Sequence, residues 1–159
     1  MPVVLGVFDN KDGAKSAISR MKEKGFSEEE ISLVAKGDER DDMEAGGEMG
    51  EQDVGDGATT GGALGGIAGI LAGAGMLTIP GVGPILAAGP LAGGLSGVAA
   101  GGIAGGLIDY GLDEEVGQRY ANEVEQGRIL VTAEHTEEEN LDEVAQILRE
   151  EGANDVETH

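Results

Sequence analysis

Apolar positions recur along this chain with two different periods, and the changes of period mark its elements. Val3-Val4-Leu5-Gly6-Val7-Phe8 is a short, β-branched run closed by Asp9-Asn10, the pattern of a buried strand. Asp9 or Asn10 can then cap a helix from Lys11 to Lys24, where Ala14, Ile18 and Met21 recur at helical spacing and Gly25 supplies a left-handed exit. Ile31-Ser32-Leu33-Val34-Ala35 reads as a second strand; Ser27 and Glu30 before it have capping-box spacing, but the run from Ile31 to Ala35 is too short and β-branched for a long helix. Near the other end, Val116, Tyr120 and Val124 repeat at spacing four after the acidic start Asp113-Glu114-Glu115, until Gly127. Ile129-Leu130-Val131-Thr132-Ala133 is a third strand. Thr136, with Glu139 three positions on, predicts a capped helix whose Leu141, Val144, Ala145 and Leu148 share one face before Gly152, and Asp155 to Thr158 offer a short last strand. The order βαβ, insert, αβαβ predicts an α+β fold, with residues 1–36 and 109–159 as the two halves of a ferredoxin-like sandwich.

Between the halves the pattern changes twice. Residues 37–56 hold nine acidic groups against Arg40 alone, with five glycines, and read as a solvated tether. From Gly57 to Ile108, the 52 residues between Asp56 and Asp109, no side chain is charged and 18 are glycine. Within 57–108 two ladders stand at spacing four, Gly61, Gly65, Gly69, Gly73 and Gly93, Gly97, Gly101, Gly105, flanking a turn at Pro80-Gly81-Val82-Gly83-Pro84. Spacing four places each ladder on one helix face, where the missing β-carbons let backbones approach closely. The expectation is a glycine-zipper helical hairpin, with helices over about 59–77 and 85–107, each long enough to cross a hydrocarbon core at about 1.5 Å per residue.

Composition narrows the function classes. With two Phe, two Tyr and no Trp, the chain offers no stacking platform for bases, and its net charge of −21 repels polyanions, so nucleic acid is excluded as a partner. No cysteine is present, which removes disulfides, thiolate metal sites and cysteine nucleophiles. The start MPVVLGVFDN lacks the basic and long apolar regions of a secretory signal, so synthesis and retention in the cytoplasm are expected. The acidic balance suits a salt-rich cytoplasm or solubility beside an apolar insert.

Catalytic chemistry is not indicated. His135 and His159 are the only histidines, at a strand exit and at the last position, and read as surface residues. Nothing marks a serine as an activated nucleophile. Gly73-Ala74-Gly75 and Gly81-Val82-Gly83 lack the following Lys-Ser/Thr of a phosphate loop. Asp38, Asp41, Asp42 and Glu44 miss calcium-loop spacing, and the runs Glu28-Glu29-Glu30 and Glu137-Glu138-Glu139 suit helix first turns better than a cation. No catalytic, cofactor or metal residue is therefore predicted, and a non-enzymatic role is expected.

Val4-Leu5-Gly6-Val7-Phe8 with Ala14, the exit Gly25-Phe26, Ile31-Ser32-Leu33-Val34, the turn Thr78-Ile79-Pro80-Gly81-Val82-Gly83-Pro84 with Ala87-Ala88-Gly89-Pro90-Leu91, and Tyr120, Gly127 and Ile129-Leu130-Val131 together resemble the bacterial general stress proteins of the YflT and 17M type. The resemblance implies stress-linked expression and membrane association, and brings no catalytic residues. An uncovered apolar hairpin needs lipid or sister subunits. The leading expectation is a stress-associated protein that self-associates through Gly65, Gly69, Gly97 and Gly101 and is anchored to the cell membrane, its acidic domain in the cytoplasm, with itself and the bilayer as partners. The alternatives are a soluble cytoplasmic assembly, filament or shell, with the hairpins inside, and a small regulatory ligand-binding module.

Overall fold

The computed structural model describes residues 2–37, 75–79, 82–96 and 101–159. Strand β1 (Val3–Phe8) leads into helix α1 (Lys11–Glu23), whose N-terminus is closed by the Asn10 side chain accepting from the Gly13 N–H at 2.8 Å. Gly25, at φ 101°, takes the left-handed exit that a β-carbon would strain. Strand β2 (Ile31–Lys36) comes after a turn in which the Ser27 N–H and hydroxyl both donate to Glu30, so the capping-box spacing serves a turn and no long helix. The C-terminal half supplies helix α4 (Glu114–Glu125), strand β5 (Ile129–Glu134), helix α5 (Glu138–Glu150) and strand β6 (Asn154–Thr158). Helix α5 is capped at Glu137 without a side-chain bond, not at Thr136 as its spacing suggested.

The neutral run differs from expectation. Gly75–Ile79 is strand β3 and Gly83–Ala88 is strand β4, where residues 75–77 and 85–88 were expected in helices and 80–84 in the turn between them. They form an antiparallel β-hairpin, closed by the Val82 N–H donating to the Ile79 carbonyl at 3.1 Å, with Gly83 left-handed at φ 98°. Helices α2 (Pro90–Ser96) and α3 (Gly102–Asp109) come next. A single helix over 85–107 is ruled out by Gly89 at φ 80° and Gly102 at φ 60°, which a right-handed helix cannot contain. The cause is long-range: β4 pairs antiparallel with β2, Leu33 opposite Ala88 through Lys36 opposite Ile85, so the edge of β2 draws this segment into the sheet.

One six-stranded antiparallel sheet results, in the order β3-β4-β2-β5-β1-β6. β5 lies between β1 and β2, so the two halves of the chain interleave in one sheet. Alternation along each strand feeds two cores. On one face Val4, Phe8, Ile31, Leu33, Val131 and Ala133 pack with Ala17, Ile18 and Met21 of α1 and Leu141, Val144 and Leu148 of α5. On the other, Leu5, Val7, Val34, Ile85 and Leu130 pack with Leu91 and Leu95 of α2, Ile103 and Leu107 of α3, and Tyr120 and Val124 of α4. The fold is α+β in three layers. Both faces of the sheet are covered, which is why β1 is buried at every position and its sequence runs apolar without alternation.

Candidate functional site

Of the ladder glycines, Gly93, Gly101 and Gly105 lie among the described residues. Gly61, Gly65, Gly69, Gly73, Gly97, Pro80 and Gly81 lie outside the described residues. Gly93 is exposed on α2, Gly101 is the exposed N-cap of α3, Gly105 is half-buried on α3, and Gly83 and Pro84 open β4. The close backbone approach belongs to their neighbours. A β-carbon on Gly106 would stand 2.4 Å from Leu95 Cδ2, one on Gly94 3.3 Å from the Gly106 carbonyl oxygen, and one on Gly117 3.1 Å from Ile108 Cγ1 and 3.3 Å from the Ala104 carbonyl oxygen. A β-carbon on Gly93 would meet nothing within 4 Å. Small residues thus pack α2, α3 and α4 edge to edge, Gly94 and Gly106 each one position after a ladder glycine. The sheet sets this register, because Leu91, Leu95, Ile103 and Leu107 must face it.

The described part of the neutral segment, 75–79, 82–96 and 101–108, occupies one side of the molecule. β3 and β4 form one end of the sheet, and α2 and α3 lie over the adjoining face. This side carries no charge from Gly75 to Ile108, and Ile108 is exposed. The two sheet edges contrast. β6 carries Asp155 and Glu157, its pairing with β1 shifts register between Leu5 and Val7, and Asp155 is left-handed at φ 47°. β3, Gly-Met-Leu-Thr-Ile, has neither charge nor register shift.

A polar cluster sits within the second face. Ser32 and Thr132 oppose one another across β2 and β5, both with no exposed surface. The Leu91 N–H donates to Ser32 Oγ at 3.1 Å, fastening the start of α2 to the sheet, whereas Thr132 Oγ1 has no partner of good geometry among the described residues. Above the pair, the Tyr110 hydroxyl donates to Glu134 Oε2 at 2.5 Å. Burial, reinforced by the Glu134 carboxylate, pushes the Tyr110 phenol above its ordinary range, and the Ser32 and Thr132 hydroxyls oppose this only in part. Tyr110 is a proton donor held neutral. Ser32 and Thr132, polar positions inside apolar runs, were visible in the sequence; the partner that covers them was not.

Both histidines have local structural contacts. His135 Nδ1 accepts from the Glu137 N–H at 3.0 Å, its Nε2 lies 3.5 Å from Glu30, and its ring meets Phe26 edge-on at 5.8 Å between centroids. His159 Nε2 lies 3.0 Å from Glu157. Among the described residues no group of three or more His, Asp or Glu is placed to hold a metal, and no helix is long and apolar enough to cross a membrane.

Residues 3–79 match the family model of the heat-induced stress protein YflT domain. Over these residues, from β1 to the end of β3, the chain is similar to the domain that its opening motifs resemble. No curated protein and no solved structure matches the chain. The matched stretch leaves out β5, the strand between β1 and β2, so the folded unit extends beyond it.

Proposed function

We propose that this chain, with its heat-induced stress protein YflT domain at residues 3–79, is a non-enzymatic stress-associated protein that self-associates through its neutral, glycine-rich side. The observation that carries this reading is the segregation of charge. The whole of the −21 lies outside residues 57–108, and the described part of that run lines one end of the sheet and its overlying helices. Like-charged copies repel one another, and residues 57–108 add nothing to that repulsion. The strand order β6-β1-β5-β2, with α1 and α5 against one face, supports a ferredoxin-like core to which β3, β4, α2, α3 and α4 are added. Many activities share that core, so the role is argued from the neutral side and not from the fold.

Membrane anchoring is the second reading, and residues 57–74, eighteen without charge, favour it. With 75–79 and 83–88 in strands, an anchor would have to lie in that stretch. Light scattering of the full chain without detergent, and flotation with vesicles, test the two together. A discrete oligomer in solution supports self-association; flotation that survives high salt and alkaline carbonate supports an anchor as well. A monomer at every concentration that stays in the supernatant would sink the proposal.

A further inference from the structure

We infer that His135 is a proton-sensitive latch on helix α5. When neutral it ties the chain at the start of α5 to the end of β5; when protonated it releases that tie and pairs with Glu30.

The His135 ring stands where the end of β5, the turn before β2 and the start of α5 meet, and Phe26 of the core meets it edge-on. Its tautomer follows from its neighbours. The Glu137 N–H reaches Nδ1 at 3.0 Å, and a backbone N–H can only donate, so Nδ1 carries a lone pair and the neutral ring keeps its proton on Nε2. There the facing group is an acceptor, the Glu30 carboxylate at 3.5 Å, itself held by the Ser27 N–H and hydroxyl. The Asn140 Nδ2 lies 3.2 Å from Nδ1 and 3.3 Å from Nε2, a near-equal spacing that places it over the ring face. Its donation to Glu137 Oε2 at 3.0 Å identifies it as the amide NH2, a donor that suits the face of a neutral ring.

A second proton reverses these preferences. It can go only to Nδ1, where N–H would then face N–H beside the positive end of the α5 dipole, under the Asn140 donor. The Glu137 side chain makes no capping bond, so Nδ1 is the side-chain acceptor that fastens the chain at this helix start. Two carboxylates attract the charged ring: Glu30, from the turn before β2, and Glu137, from the start of α5. Glu134, the preceding residue, turns its carboxylate to Tyr110 instead. Protonation therefore breaks the contact with the α5 backbone and strengthens the one with Glu30. The side chain is 22% exposed, so solvent supplies the proton, and histidine ordinarily changes charge between about pH 5 and 8.

The chain has two histidines, which keeps the test simple. Ring and amide nitrogen signals of the full chain are followed by NMR from about pH 8 to 5. The expected result is a lone-pair Nδ1 at the alkaline end, and a Glu137 amide proton that loses its hydrogen-bonded downfield shift with the same midpoint as the His135 ring. Asparagine accepts from the N–H two residues on without titrating, so His135→Asn is expected to hold the Glu137 amide in place across the range. His159→Asn is expected to leave the transition unchanged. A proton on Nδ1 at the alkaline end, a ring that takes up no proton over the range, or a Glu137 amide that ignores the ring overturns the latch. So does a Glu137 amide that moves in His135→Asn as in the parent chain, which would assign the movement to the carboxylates. The titration of the parent chain decides by itself if His135→Asn does not fold.

Discussion

Tyr110 reaches from the corner between α3 and α4 to the end of β5, where its hydroxyl donates to Glu134 at 2.5 Å above the buried Ser32–Thr132 pair. The contact pins the helical layer of the neutral segment to a strand of the C-terminal half. Hydrogen bonds to charged groups contribute about 1.5–3 kcal/mol, and this one is partly exposed, so Tyr110→Phe is expected to cost about 1–2 kcal/mol in urea unfolding. Glu134→Gln keeps an acceptor and should cost less. Equal losses in the two variants would show that the worth of the bond comes wholly from the carboxylate charge.

Alkaline pH should destabilise the fold. Tyr110 and Tyr120 are both held above the ordinary value of 10.0, chiefly by burial. Below pH 10 both states keep the phenolic protons and this contribution is fully present. Above it the unfolded chain releases protons that the folded one retains, so unfolding is increasingly favoured as pH rises towards the folded-state values. Tyrosinate absorbance should therefore appear together with unfolding. Free titration of both tyrosines near pH 10 with intact circular dichroism would contradict their burial.

Glycines within one layer should differ sharply. Gly106→Ala puts a methyl 2.4 Å from Leu95 Cδ2 and 3.3 Å from Leu95 Cα, and the loss expected from such overpacking is about 1–3 kcal/mol. Gly93→Ala meets nothing within 4 Å and gains helix propensity, so a change between zero and about 1 kcal/mol of added stability is expected. Thermal unfolding of the two variants decides whether α2 and α3 pack in the register described.

Added salt should stabilise the protein. Raising ionic strength from about 0.01 M to 1 M shortens the screening length from about 30 Å to 3 Å and relieves the self-repulsion of the −21 charge. The ion pairs it weakens, Arg20 with Glu150 and Glu151, Lys24 with Glu143, and Arg119 with Glu157, lie at the surface, where each contributes little. A midpoint in urea that falls as sodium chloride rises would mean that these pairs outweigh the repulsion.

Elements governed by near neighbours were legible in the chain itself. Apolar period, the Asn10 cap and the Gly25 and Gly127 exits mark β1, α1, β2, α4, β5, α5 and β6 because a cap or a helical face is built from residues within a turn of one another. So was the segregation of charge, which is a property of order along the chain. The glycine-rich run was not decidable in this way. Its spacing of four satisfies a helix locally, yet Gly75–Ile79 and Gly83–Ala88 are strands, because β2 offers β4 a row of backbone partners and the conformation is set by those distant hydrogen bonds. The same holds for the position of β5 between β1 and β2 and for the meeting of Tyr110 with Glu134, contacts between residues that only the folded sheet brings together.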